Sequence, residues 1–278
     1  MNVVPLSTVA LASPAAGDMT EEHARLCAAV RAAGALSLTF FRGSYRSWEK
    51  RPGQPVSEAD LAVDALLRER LCAGGGYGWL SEESVAEEDR LAADRVWVVD
   101  PIDGTRPFLR GLPEYAVCAA LAVDGRPVLA AVYNPATEEF FDAVRGASAR
   151  CNGRPLALAD VPTIAGARLS ASATALAHYL SPADHARVSF RKLGSIAYRL
   201  ARVALGADDG AVSLNAKSDW DIAAAELIVT EAGGCVTTAA GAGLRYNGAD
   251  PRHPSVIAAG PALHAALIRL LAAPPLSS

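Results

Sequence analysis

Trp97-Val98-Val99-Asp100-Pro101-Ile102-Asp103-Gly104-Thr105 runs from an apolar, β-prone segment into two aspartates separated by a proline and an isoleucine. Continuous apolar runs of this kind belong to buried strands, so the carboxylates are expected at a strand tip. Pro101 fixes its own φ and cannot extend a ladder, which predicts a turn there with Asp100 and Asp103 facing one small volume. Two close carboxylates repel, and one ordinarily stays protonated. A hard divalent cation removes that conflict, and oxygen-only ligands suit Mg²⁺. Gly104 and Thr105 add backbone N–H groups at the start of an expected short helix, which is an anion site, and Thr105 adds a hydroxyl. An ordinary turn accounts for the same letters, because Asp-Pro and Asp-Gly are common turn pairs. The rest of the chain has to decide between them.

At 278 residues the chain can bury a sizeable core, as one large domain or two. Half of its residues are hydrophobic and a fifth are charged, the composition of a soluble globular protein. A formal net charge of −4 gives no basic footprint for nucleic acid or a membrane surface, so neither is expected as a partner. Cys27, Cys72, Cys118, Cys151 and Cys235 are scattered singly, with no CxxC. That pattern speaks against a disulfide framework or a zinc site, favours a reducing, cytoplasmic setting, and reads as small buried hydrophobes. Residues 1–18 lack the charged start of a secretory signal and read as a disordered tail, with Met19 an alternative start. No apolar run is long enough to span a bilayer.

Leu26, Ala29, Val30, Ala33 and Leu36 recur at helical spacing, predicting a helix to about Thr39. Phe40 to Gln54, with Arg42, Arg46, Lys50 and Arg51, reads as a loop. It is either solvated or a lid bringing cations to a phosphate. Ser57 and Asp60 form a capping-box start for the next helix, and capping is the first reading of Asp60. Tyr77 to Leu80 is a short strand that delivers Glu82 and Glu83, a second strand tip bearing paired carboxylates. Tyr115 to Val123, Pro127 to Tyr133 and Glu139 to Val144 form a meander, with Asp124-Gly125 as its first hairpin turn. Gly146 to Gly153 is small and polar, a candidate boundary between residues 19–149, a metal-binding α+β half, and residues 150–278, an α/β half. Gly194-Ser195 precedes a helix from Ile196 and is a second candidate anion site. Ser218-Asp219-Trp220-Asp221 opens a long apolar helix closed by Gly233-Gly234, and either aspartate could simply cap it. His23, His178, His185, His253 and His264 sit in no motif and read as surface or core residues.

Taken together, Ser81-Glu82-Glu83-Ser84, Asp100-Pro101-Ile102-Asp103-Gly104-Thr105 through Phe108, and Trp220-Asp221 through Glu231-Ala232-Gly233-Gly234 resemble the inositol monophosphatase superfamily. The resemblance spans roughly Thr20 to Gly260. It implies a mixed α/β (α+β) fold, a layered αβαβα sandwich, and Mg²⁺-dependent hydrolysis of a small phosphomonoester with two or three ions per site. Carried over by motif, Glu82, Asp100 and the carbonyl of Ile102 would hold one metal, and Asp100, Asp103 and Asp221 another. Glu82 with Thr105 would activate the attacking water, and Asp60 would stand behind Thr105. Asp103, Gly104, Thr105, Gly194, Ser195, Leu214 and Asp221 would meet substrate or phosphate. Homodimerisation is a further family expectation. Leu214 stands where inositol monophosphatases proper have a glutamate that contacts inositol hydroxyls, and Arg106-Pro107 where they usually have Thr-Asn. The pattern therefore looks closer to the 3′(2′),5′-bisphosphate nucleotidase branch. The expected substrate is 3′-phosphoadenosine 5′-phosphate, with inositol monophosphate as the alternative. A non-catalytic binding or regulatory protein on the same fold is the rival from another class, and the complete acidic set argues against it.

Overall fold

The structure, a computed structural model, describes residues 16–84 and 88–274. Helix α1 (Ala16–Phe40) begins inside the tail expected over 1–18, and the remainder of that tail lies outside the described residues. Leu26, Ala29, Val30 and Ala33 line its buried face, as their spacing requires. Next come β1 (Ser47–Arg51) and β2 (Gln54–Ser57), an antiparallel hairpin turning at Pro52-Gly53. The stretch expected as loop from Phe40 to Gln54 therefore contains a strand. Its exposed, charged residues carry no apolar alternation, so only the Pro-Gly turn signalled the pairing.

Helix α2 (Glu58–Leu71) starts at the Ser57–Asp60 capping box. Strands β3 (Gly78–Ser81) and β4 (Arg95–Asp103) pair in parallel, and β5 (Ala116–Val123), β6 (Arg126–Asn134) and β7 (Glu139–Val144) follow antiparallel. Strands β8 (Ser148–Cys151) and β9 (Arg154–Pro155) complete a seven-stranded sheet in sequence order. The small polar stretch proposed as a boundary is thus taken up by hairpins, and the first sheet continues to Pro155. Asp124 and Gly125 have φ of 50° and 70°, the conformation a two-residue hairpin needs.

The later part of the chain builds a second sheet, ordered β11 (Ser189–Arg191), β10 (Arg168–Ser170), β12 (Gly210–Ser213), β16 (Val256–Ala259), β14 (Cys235–Thr237). Strands β13 (Lys217–Ser218) and β15 (Arg252–His253) form a separate pair. The helices here are α4 (Ala173–Leu176), α5 (Pro182–His185), α6 (Ile196–Ala204), α7 (Asp219–Glu231) and α8 (Pro261–Ala272). One core cluster lies between α1–α2 and the first sheet, through Trp79, Trp97 and Val99. A second fills the space between the sheet's other face, α6–α7 and the second sheet, through Val98, Ile222 and Ala258. A third joins the second sheet to α8, through Leu169, Ile257 and Leu263. The result is the expected five-layer αβαβα sandwich.

At Pro101 the chain does not turn. β4 continues to Asp103, but its register on β5 shifts: Asp100 faces Cys118 and Asp103 faces Ala116. One extra residue on β4 is a bulge, and a residue without an N–H sits there without breaking a ladder bond. In a regular strand residues three apart point to opposite faces. The bulge cancels that alternation and sends Asp100 and Asp103 to the same side.

Candidate active site

Gly104 follows β4 in the left-handed region at φ 96° and starts α3 (Thr105–Leu109). A Cβ at this glycine would lie 2.8 Å from the Glu114 carbonyl oxygen, so conformation and space both require glycine. The turn places the α3 start beside Asp100 and Asp103. Asp221 arrives from the first turn of α7, where its Oδ2 accepts the Ser218 N–H at 2.7 Å as the reply in a capping box. One carboxylate oxygen from each of Asp100, Asp103 and Asp221 lies within 4.8 Å of the others.

Each partner in this trio leaves valence free. Asp100 Oδ1 accepts the Ile102 N–H at 3.1 Å, while its Oδ2 is buried with no hydrogen-bond partner. Asp103 Oδ2 accepts from the Ser195 hydroxyl at 2.5 Å and the Ala197 N–H at 2.6 Å, so β4 caps α6. Burial, and then Glu82, Asp103 and Asp221, push the Asp100 carboxyl well above the carboxylate range. Burial and then Asp221 push Asp103 up to about 7, against its bonds from Ser195 and Ala197. Burial first, against the Ser218 N–H, pushes Asp221 up to about 6. Two buried carboxylates and a half-buried third, with one Asp100 oxygen left unpartnered, fit a hard divalent cation, which offsets the repulsion and gives a buried oxygen a partner.

Glu82 follows β3, and its N–H donates to the Val99 carbonyl at 3.3 Å. Its carboxylate lies outside the trio's 4.8 Å circle and pairs with Lys50 Nζ at 3.2 Å. Lys50 also reaches Glu83 Oε1 at 2.8 Å. Burial, only partly offset by Lys50, raises Glu83 to about 7. The other Asp–Ser box serves the site as well. Asp60 Oδ2 accepts the Ser57 N–H at 2.8 Å and hydroxyl at 2.5 Å, and its Oδ1 lies 3.2 Å from Thr105 Oγ1. Thr105 Oγ1 is also 3.2 Å from the Ile102 carbonyl, and its single proton serves one acceptor at a time. Asp60 is therefore both a cap and the partner of Thr105.

These residues open onto a cleft of about 720 Å³ lined by Glu82, Asp103, Gly104, Thr105, Gly194 and Asp221. Arg106, Arg110 and Lys192 also line it. Sequence reasoning missed all three as site residues. Arg106 and Arg110 flank the α3 signature and Lys192 precedes Gly194, so proximity to the motifs was the available signal. Two expected contacts fall elsewhere. Ser195 is fully buried and its hydroxyl is used by Asp103 and the Tyr198 N–H, so it positions a carboxylate instead of meeting phosphate. Leu214 packs against the core cluster beneath α8 and is not among the cleft-lining residues. It follows Ser213, the last residue of β12, the central strand of the second sheet, and the cluster between that sheet and α8 draws its side chain in. Two of the loop cations are also committed, Arg46 to Glu58 at 2.6 Å and Arg42 to the Gly111 carbonyl at 3.0 Å.

The model of the inositol monophosphatase family matches residues 16–274. Inositol-1-monophosphatase of Rhizobium meliloti (strain 1021) is 37% identical over 203 residues, covering 70% of this chain and 76% of that one. Nus factor SuhB of Escherichia coli (strain K12) is 33% identical over 190 residues, covering 66% and 71%. Among solved structures, extragenic suppressor protein suhB from Bartonella henselae superposes with a TM-score of 0.79 at 30% identity, covering 91% of this chain and 98% of that one.

Proposed function

Because the chain belongs to the inositol monophosphatase family, a family of metal-dependent phosphatases, we propose that it is a Mg²⁺-dependent phosphomonoesterase whose substrate is an inositol monophosphate. The observation that supports the reaction is the convergence of Asp100, Asp103 and Asp221, with one Asp100 oxygen buried and unpartnered. Glu82, the Ile102 carbonyl and these three aspartates would hold Mg²⁺, whose charge offsets that of the phosphate and makes hydroxide available near neutral pH. The chain's own groups do the positioning. The backbone N–H groups at the start of α3 orient the phosphoryl oxygens. Thr105 Oγ1 accepts a hydrogen bond from the attacking water and gives its own proton's bond to Asp60 Oδ1. Burial raises the Asp60 carboxyl, which makes it a better proton acceptor there. Ser195 and the Ala197 N–H fix Asp103 from behind.

The relatives named inositol-1-monophosphatase support the choice of substrate, and Leu214, half-buried against a core cluster and absent from the cleft lining, no longer argues against a polyol. A 3′(2′),5′-bisphosphate nucleotide is the second reading. It is favoured by Arg106, Arg110 and Lys192 on the cleft, which offer charge for a second phosphate. Relatives named Nus factor keep a regulatory role in view, but a purely regulatory chain has no need of the orphaned Asp100 oxygen. The test is phosphate release from a panel containing inositol 1-phosphate and 3′-phosphoadenosine 5′-phosphate, with and without Mg²⁺. Inositol 1-phosphate should be turned over faster, and only with Mg²⁺. Preference for the nucleotide would reverse the substrate, and no release from any phosphomonoester would remove the enzyme reading.

A further inference from the structure

On the face of the first sheet that packs against α1, away from α7 and Asp221, the fold gathers a donor set of a different kind. His23 and Cys27 are one helical turn apart on α1, both half-buried. Asp142 comes from β7, on the face shared with Phe140 and Val144. The Cys27 Sγ lies 3.5 Å from His23 Nε2, and Asp142 Oδ2 lies 3.1 Å from the same nitrogen. One ligand atom from each of the three falls within 4.8 Å of the other two.

The convergence on a single nitrogen is what distinguishes this cluster. A Cys-His-Asp relay for nucleophilic catalysis uses the two ring nitrogens separately, one toward the thiol and one toward the carboxylate. Here thiol and carboxylate both face Nε2, which can carry only one proton. A cation bonded to Nε2, Sγ and Oδ2 satisfies all three at once. Zinc bond lengths at tetrahedral angles put the N···S edge at about 3.6 Å and the N···O edge at about 3.4 Å, close to the spacings seen. The mixed nitrogen, sulfur and oxygen donors suit Zn²⁺ and reject Mg²⁺, which prefers oxygen alone. We propose that His23, Cys27 and Asp142 form a zinc site, with water as the fourth ligand, that clips α1 to β7. The proposal is independent of the phosphatase reading, because none of the three residues lines the catalytic cleft.

The experiment uses Co²⁺ as a spectroscopic stand-in, added to metal-stripped full-length protein in saturating Mg²⁺. One equivalent should produce a near-ultraviolet thiolate-to-cobalt band together with visible bands of tetrahedral intensity, and Zn²⁺ should abolish them by displacement. Cys27→Ser should remove the thiolate band, and His23→Gln or Asp142→Asn should weaken Co²⁺ affinity at least ~10-fold. All three variants should keep Mg²⁺-dependent phosphate release, which also reports that they fold. Cys118 faces Asp100 across β4 and β5 and is the other thiol near a metal site, so Cys118→Ser should leave the band intact. No thiolate band, or a band that survives Cys27→Ser, overturns the proposal.

Discussion

Asp221→Asn keeps the size of the side chain and its ability to accept the Ser218 N–H, but removes one charge from the trio. It should lower the rate at limiting Mg²⁺ by at least ~100-fold while leaving the melting temperature near that of the wild type. Rate as a function of Mg²⁺, read beside thermal unfolding, checks both halves of that expectation. Thr105→Ala should act differently. Its hydroxyl touches Asp60 and the Ile102 carbonyl. Losing it should lower kcat with KM and Mg²⁺ dependence largely kept, and a change confined to KM would assign Thr105 to binding instead. Ser195→Ala separates positioning from contact. The variant loses the 2.5 Å bond to Asp103, so its Mg²⁺ requirement should rise while KM for substrate stays put. At this scale the carboxylates were legible because each ends an apolar element. Ser195's true partner was not, since nothing in the local sequence ties it to Asp103.

Among the elements, the link between β4 and α3 is the most constrained. Gly104→Ala puts a Cβ into a left-handed position and 2.8 Å from the Glu114 carbonyl. It should cost about 1–3 kcal/mol from the backbone alone, with further loss from the clash, and calorimetry with activity per folded molecule measures both. The expected turn at Pro101 proved to be a bulge. The residues of a turn and of a bulge are the same, and only the pairing with β5 decides which forms. The β1–β2 hairpin was hidden for a related reason: β1 is exposed throughout and β2 is only four residues long, so no apolar alternation marks the pair. Helices α1 and α2 were visible because burial on one face imposes their period, and the Ser57–Asp60 capping box was legible; at α7 the sequence offered Asp219 or Asp221 as the cap, whereas Ser218 caps and Asp221 replies.

Across the whole molecule, α7 lies between the two sheets, and its Glu226 is a test of how dry that layer is. Burial raises the Glu226 carboxyl above its ordinary value of 4.5. The folded chain therefore binds the proton more tightly than the unfolded one, and this group's contribution to stability falls as pH rises above that value. Glu226→Gln should remove the penalty. In saturating Mg²⁺ the variant's gain in melting temperature should be larger at pH 8 than at pH 5, and equal gains at both would place the carboxylate in water. From the sequence alone came the αβαβα class, the strand tips and helix starts bearing carboxylates, and the family. The elements and the carboxylate positions rest on apolar periodicity and local patterns, the family on motifs of a few consecutive residues, and the αβαβα class on what the family resemblance implies. Only the tertiary structure decided that Leu214 packs against a core cluster and away from the cleft, that Arg106, Arg110 and Lys192 line the cleft, and that His23 and Cys27 meet Asp142. Those outcomes depend on which strand pairs with which and which helix covers which face. Such distances are fixed when the layers pack, and no local pattern of residues encodes them.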